Sequence, residues 1–389
     1  MGNNIVVFTR SLPMHNIGGM EVVCWDLCCS LAKRGYKVSV VTTSLPGVTT
    51  YETYNGNLNV IPIDGTIPGK YSSQWWRNSA KYLHELSGEN ILAVISISAA
   101  GFSCLRYKSE FQNTKFIMQA HGTSFDEFVS KIKSCSLKKW CGSIKNVFWF
   151  FKDANSYNKF DYVVAIGDSV ESSMKRFPTS AIIKKESVVK IENGIDTDLF
   201  MANSSSHLKK EVLEKFNIND KAVVVVSASR LHSEKGVDNN LIAFKKFNER
   251  VKNSYYLICG DGVEKDNLLQ LSKDLGIISN VRFLGGIDRK FLSNILNCAD
   301  IFLFLTKRVE GLPLNVLEAM SVGVPMIVSN HLTFTESKKL RKVVNNEYEH
   351  IADQMVGVVN FSNGGKESYI PTNNTLSYSA EKYCRLINN

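Results

Sequence analysis

Two glutamates eight positions apart, Glu310 and Glu318, stand in the segment EGLPLNVLEAMSVGVP, which ends at Pro325. The apolar run Ile301 to Leu305 just before it reads as a buried strand. Pro313 is preset for the first turn of a helix. The helix is expected from Leu314 to about Met320, with Gly323 placed to end it and Pro325 unable to continue it. Met326 to Val328 reads as the next strand. At the start of that helix the amides of Leu314 and Asn315 would lack intrahelical acceptors. With the helix dipole they make a site for a phosphate or another anion. A carboxylate repels phosphate but accepts hydrogen bonds from hydroxyl groups. An anion site flanked by two such acceptors fits a ligand carrying both phosphates and hydroxyls, such as a sugar nucleotide. The plainer alternative makes Glu310 a loop charge and Glu318 an exposed helix residue.

Other residues with usable chemistry sit where strands give way to helices. Arg230 and Lys235 lie in SASRLHSEKG, between the β-branched strand Val223 to Val226 and a helix starting at Val237. Two cations at the carboxyl end of a strand suit a diphosphate, although either alone could be a solvated loop charge. Gly18-Gly19 stand between the strand Ile5 to Thr9 and a helix from about Glu21 to Arg34. Glycines there let the backbone approach a ligand closely and set a helix N-terminus against it. The pattern is not GxGxxG, since the loop is too long and the third glycine is missing. His121 follows the strand Lys115 to Gln119, beyond a carboxyl edge where parallel sheets bind ligands. A structural histidine bonded to its own loop is the alternative.

These elements recur as alternating strands and helices in two blocks, which implies parallel sheets covered by helices on both faces. Further strands are expected at Ile91 to Ile97, Tyr162 to Ile166, Val188 to Ile191, Tyr255 to Cys259 and Val281 to Leu284. The polar stretch Met201 to Lys210 reads as the linker. The expected fold is therefore α/β, with two Rossmann-like parallel-sheet domains. A chain of 389 residues can give each a full core. No apolar run reaches the length of a membrane-spanning helix, and the N-terminus has no signal-peptide layout. The nine cysteines show no CxxC pair and sit mostly in apolar segments, so reduced buried thiols in a cytosolic protein are expected, with neither disulfides nor a zinc site.

Seven segments in matching order carry a resemblance to a family: GGMEVVCWDLCCSLAKRGYKVSVVT, HGT, ENGID, SASRLHSEKG, ICGDG, VRFLGG and EGLPLNVLEAMSVGVP. Together they resemble the retaining glycosyltransferases of family 4, which have the GT-B fold. The resemblance spans nearly the whole chain. It implies two domains facing across a central cleft, with residues 1–200 on the acceptor side and 201–374 binding a nucleotide-sugar donor. The segment 375–389 would pack back on the first domain. By this resemblance Gly18 and Gly19 lie against the donor diphosphate and His121 touches the transferred sugar. Arg230 and Lys235 bind the diphosphate and stabilise the leaving nucleotide. Glu310 holds sugar hydroxyls, Glu318 the ribose hydroxyls, and backbone around Phe283, Leu284 and Gly285 the base.

The resemblance further implies transfer of a hexose or N-acetylhexosamine with retention, to a glycan or lipid-linked glycan acceptor, with no metal and no cofactor. Uridine diphosphate sugars are favoured as donors, with GDP-mannose second. A nucleotide-sugar epimerase and a non-catalytic nucleotide-sugar binder are the alternatives. The chain departs from the family after Ser329, where NHLTFTESKKLRKVV replaces a glycine-rich turn and a glutamate near the sugar, with Glu336 the candidate equivalent of that glutamate. Residues 131–160 hold seven lysines against one acid, Asp153. As a helix, 136–152 would set Trp140, Ile144 and Phe151 on one face beside lysines, which suits contact between residues 131–152 and an anionic membrane. A helix packed on its domain is the alternative. That places the protein in the cytoplasm, at the inner face of the membrane if the contact is made. No nucleic-acid recognition motif accompanies the charge.

Overall fold

The computed structural model describes residues 3–15, 18–47, 51–122, 149, 152–153, 155–181, 183–308, 310–361 and 365–389. The chain forms two compact units. The first comprises Met1–Gly194 with Thr372–Asn389, the second Ile195–Pro371.

In the first unit the strands are β1 (Asn4–Phe8), β2 (Lys37–Thr43), β3 (Tyr51–Thr53), β4 (Leu58–Ile63), β5 (Ile91–Ile97), β6 (Lys115–Ala120), β7 (Tyr162–Ala165) and β8 (Val188–Lys190). They form one sheet in the order β3-β4-β2-β1-β5-β6-β7-β8. All pairings are parallel except β3 with β4, an antiparallel edge that the expectation of a purely parallel sheet misses. The alternation of side chains along a strand explains why β1 is apolar from Ile5 to Phe8. Ile5 and Val7 enter one core, with the helix Gly19–Lys33. Val6 and Phe8 enter the other, with the helix Ser73–Glu85 and the 3₁₀ segment Ser98–Glu110. A sheet buried on both faces needs such two-sided strands.

The second unit repeats the plan with β9 (Val223–Ala228), β10 (Ser254–Cys259), β11 (Val281–Gly285), β12 (Ile301–Phe304), β13 (Met326–Ser329) and β14 (Leu340–Val343). Their order is β11-β10-β9-β12-β13-β14, all parallel. Val224, Val226, Phe302 and Phe304 pack on one side, and Val225, Ile301 and Leu303 on the other.

Both sheets have a topological switch point. In the first, the chain runs outward from β1 through β2 to β4 and then returns to β5 on the other side of β1. In the second, it runs from β9 to β10 and β11 and returns to β12 beside β9. At such points the loops leaving the two central strands diverge and open a crevice at the carboxyl edge.

Two expected boundaries move. The second unit begins at Ile195, not after Phe200, because both residues are buried in its core. The stretch Met201 to Lys210 is therefore not the linker: it lies inside the second unit, and a helix, Ser206–Glu214, starts within it on the Ser205 cap and buries Val212 and Leu213. The last helix, Leu376–Asn388, belongs to the first unit, where Ala380, Tyr383, Leu386 and Ile387 join the core beside Gly19–Lys33. That segment starts at Thr372, three residues before the expected 375.

Candidate active site

In the second unit the loops after β9 and β12 carry the predicted cations and the first glutamate. The β9 loop ends in a 3₁₀ turn, Ser233–Lys235, and then Gly236, which caps the helix Val237–Arg250. Gly236 has φ +68°, and a Cβ there would lie 1.8 Å from the Leu305 carbonyl oxygen. Only glycine lets the two loops come this close. The Lys307 amide then donates to the Glu234 carbonyl at 2.9 Å. Thr306 Oγ1 donates to the same carbonyl at 3.2 Å. The consequence is a short ion pair, Lys235 Nζ to Glu310 Oε1 at 2.6 Å, with side chains 14% and 13% exposed. Lys235 and Glu310 thus orient each other, which neither residue's expected role anticipates.

Arg230 is the more open cation. Its Nη2 lies 3.9 Å from Glu234 Oε1, and Arg308 Nη1 reaches the same oxygen at 3.1 Å. Glu234 therefore gathers two guanidinium groups beside the Lys235–Glu310 pair. Arg308 carries no sequence signal beyond its place two residues before Glu310.

The helix Leu314–Val322 begins after Pro313 and is capped by Gly323 as expected, its last residue lying two beyond the expected Met320. Its first intrahelical bonds run from the Val316 and Leu317 amides to the Pro313 carbonyl. The Leu314 and Asn315 amides precede these, so they have no intrahelical acceptor. The Asn315 side chain is committed: Nδ2 donates to the Ala228 carbonyl at 2.7 Å and ties the helix start to the end of β9. Glu318 is 7% exposed, so the alternative of an exposed helix residue fails. Its Oε1 lies 3.7 Å from Arg289 Nε, at the start of the helix Arg289–Cys298. Phe283, Leu284 and Gly285 form the carboxyl half of the edge strand β11. The Gly285 carbonyl accepts from the Gly260 amide at 2.8 Å, which ties the end of β11 to the loop after β10. Glu336 accepts from the Lys342 amide at 3.0 Å, which gives it a structural task in the divergent segment.

In the first unit Gly18 caps the helix Gly19–Lys33. The Glu21 carboxylate folds over this N-terminus, where a Cβ on Gly18 would lie 2.4 Å from Glu21 Oε2. Ser11 Oγ donates to the other Glu21 oxygen at 2.6 Å. An acid in the first turn offsets the dipole that a phosphate would use. A donor diphosphate against Gly18-Gly19 would therefore meet the Glu21 carboxylate at this helix start.

His121 follows β6. Its Nε2 bonds Gln119 Oε1 at 2.9 Å, and Gln119 Nε2 donates to the Tyr383 hydroxyl at 2.8 Å. The last helix of the chain thereby orients the imidazole. Burial, reinforced by the Arg10 guanidinium, pushes His121 down to about 4. Arg10 leaves the end of β1, with its guanidinium 5.5 Å from the Tyr71 ring centre. Sequence reasoning misses Arg10, because a single arginine in a loop has no spacing to mark it.

Among the described residues no group of three or more His, Cys, Asp or Glu side chains could hold a metal ion. No helix among them is long and apolar enough to cross a membrane. Trp149 and Lys152 are described, but the rest of the proposed membrane segment 131–152 lies outside the described residues.

Two largely parallel α/β sheets, each with a switch point, give the chain a fold like that of GT-B structures. Comparison with known proteins fits this. Residues 17–199 match the model of Glycosyltransferase Family 4, and 209–358 that of Glycosyl transferases group 1. Each model falls largely within one of the two units, and both describe glycosyltransferases. It is 30% identical over 197 residues to the O-antigen biosynthesis glycosyltransferase WclY of Escherichia coli, covering 50% of each protein. The chain spans about half the length of the first curated relatives it matches. Sucrose-phosphate synthase from Thermosynechococcus elongatus superposes with a TM-score of 0.75 at 15% identity, covering 99% of this chain and 98% of that one. The Anabaena protein HepE, in complex with UDP-glucose, superposes with a TM-score of 0.68 at 16% identity, covering 99% and 95%.

Proposed function

We propose that the protein is a retaining glycosyltransferase. It transfers a hexose or N-acetylhexosamine from a nucleotide diphosphate sugar to a glycan or lipid-linked glycan acceptor in surface polysaccharide or lipopolysaccharide assembly. The observation that carries this reading is the Lys235–Glu310 pair at the switch point of the second sheet, with Arg230 and the helix start at Leu314 nearby in sequence and topology. UDP-sugars are the favoured donors, in keeping with the UDP-glucose complex of HepE.

In this reading Arg230 and Lys235 neutralise the donor diphosphate, assisted by the Leu314 and Asn315 amides. The second oxygen of Glu310 accepts a hydroxyl of the sugar, and Glu318 accepts from the ribose. Neutral His121 accepts from a sugar hydroxyl through Nδ1, since Nε2–H is given to Gln119. The bond from C1 to the phosphate oxygen breaks, and the acceptor oxygen bonds C1 on the same face. The acceptor proton passes to the departing phosphate. Charge stabilisation of that phosphate by fixed cations is the main contribution of the protein, and no metal is required.

Replacing Glu310 by Ala separates binding from turnover. Nucleotide affinity is expected to stay within about threefold while kcat falls by at least about a hundredfold. Equal loss of both would move Glu310 from the sugar to the nucleotide. Nucleotide release should also persist in the presence of a chelator.

A further inference from the structure

Outside the residues discussed so far, the first unit contains a cavity of about 280 Å³. Trp76 borders it from the first turn of Ser73–Glu85. Phe102, Leu105 and Arg106 border it from the segment after β5, and Lys152 and Lys159 from the stretch before β7. Phe102 and Leu105 are buried and give the cavity an apolar lining, while Arg106 and Lys159 are exposed at its rim.

We propose that this cavity is a subsite for a phosphate group on the glycosyl acceptor, a proposal that rests on the transferase reading for the word acceptor. The first reason is charge. The neighbouring cation Lys108, which donates to the Lys159 carbonyl, is matched by Asp161. Arg106, Lys152 and Lys159 form no ion pair with any described residue. Arg106 Nε is anchored on the Ser103 carbonyl at 3.0 Å. The nearby acid is Asp153, whose side chain is buried and whose charge favours the Lys152 ammonium without offsetting its burial. Three cations without an ion-pair partner among the described residues, around one small cavity, suit a doubly charged group with three acceptor oxygens better than a single carboxylate.

The second reason is preorganisation. Lys152 Nζ lies 3.6 Å from the Trp76 ring centre and 4.7 Å from that of Trp149. The two indoles hold the ammonium by cation–π attraction, so little side-chain freedom is lost when an anion binds.

The third reason is continuity with the candidate site. Tyr71 stacks on Trp76 at 4.8 Å and lies 5.9 Å from Trp149. The Arg10 guanidinium sits over the same Tyr71 ring. An aromatic row therefore joins the cavity to Arg10, whose charge acts on His121. The cavity is slightly smaller than the roughly 300–1,000 Å³ of pockets for drug-sized ligands, which fits one phosphate with its first attached atoms. A flat bilayer surface would not need a concave site.

The test is a titration of the full chain, followed by intrinsic tryptophan fluorescence. The probes are hexyl phosphate, inorganic phosphate, octyl glucoside, and vesicles of phosphatidylglycerol with phosphatidylcholine. Saturable change is expected with hexyl phosphate, less readily with inorganic phosphate, and none with octyl glucoside. Lys152→Met and Arg106→Ala should each raise the Kd for hexyl phosphate about tenfold, the loss of one charged hydrogen bond. Both variants should keep the parent Tm and the parent response to nucleotide sugars. Unchanged affinity in both variants overturns the proposal. So does a response to anionic vesicles without one to hexyl phosphate, which would make the patch a membrane contact. If hexyl phosphate binds as described while no nucleotide sugar does, the transferase reading fails and the anion site stands.

Discussion

At pH 7 the His121 imidazole is neutral, because burial and the Arg10 guanidinium push it down to about 4 from 6.5. The hydroxyl-acceptor role proposed for it depends on that, since a protonated ring has no acceptor nitrogen. The same shift has a stability consequence. Between about pH 6.5 and pH 4 the unfolded imidazole binds a proton that the folded one refuses, so stability falls as pH falls, by at most about 1.4 kcal/mol per unit. Above that window His121 contributes no pH dependence. Denaturant unfolding at pH 7 and pH 4.5 should show a smaller acid loss in His121→Gln than in the parent. Equal losses would mean that the imidazole titrates normally. Glu310 has less freedom than a lone carboxylate: one oxygen is committed to Lys235 at 2.6 Å, which leaves the other for a ligand hydroxyl.

The loop between β9 and its helix depends on Gly236 for two reasons, the left-handed backbone and the approach to Leu305. Gly276 separates them, for it has the same φ of +68° with nothing within 4 Å of an added Cβ. Gly276→Ala should cost only the left-handed penalty, about 1–2 kcal/mol. Gly236→Ala must also push the loop off Leu305, so it should cost more and weaken nucleotide-sugar affinity. Thermal unfolding and ligand titration of both variants check this, and equal effects would remove the packing argument. Elements of this kind are legible in sequence, because strand, glycine and helix follow one another with clear periods. Others are not. In β4 the sequence LNVIPI mixes Asn59 and Pro62 into a half-buried strand and blurs the alternation. The helix Ser73–Glu85 buries only Trp75, Ser79, Ala80 and Leu83, too narrow a stripe to stand out. The Glu21 carboxylate over Gly18 and the gathering of Arg230 and Arg308 on Glu234 depend on side-chain placement, to which spacing is blind.

At the scale of the whole chain, the order of elements carries the assignment. Each unit returns across its first strand; in the second the loops at the return hold Arg230, Lys235 and Glu310, while in the first Gly18-Gly19 follow β1 and His121 follows β6. The tail was legible as a last helix, but its link to His121 through Tyr383 and Gln119 crosses more than 260 positions and no local pattern announces it. The central claim is that the second unit binds a nucleotide diphosphate sugar through Arg230 and Lys235. It is tested most directly by thermal unfolding across a panel of nucleotide sugars, with the Arg230→Ala/Lys235→Ala double variant alongside. A ligand at a hundredfold its Kd adds about 2.7 kcal/mol, so at least one member, with UDP-sugars first, should raise the Tm of the parent by several degrees. The double variant should lose that shift. A panel in which no nucleotide sugar stabilises the protein, or a double variant that responds like the parent, would contradict the assignment.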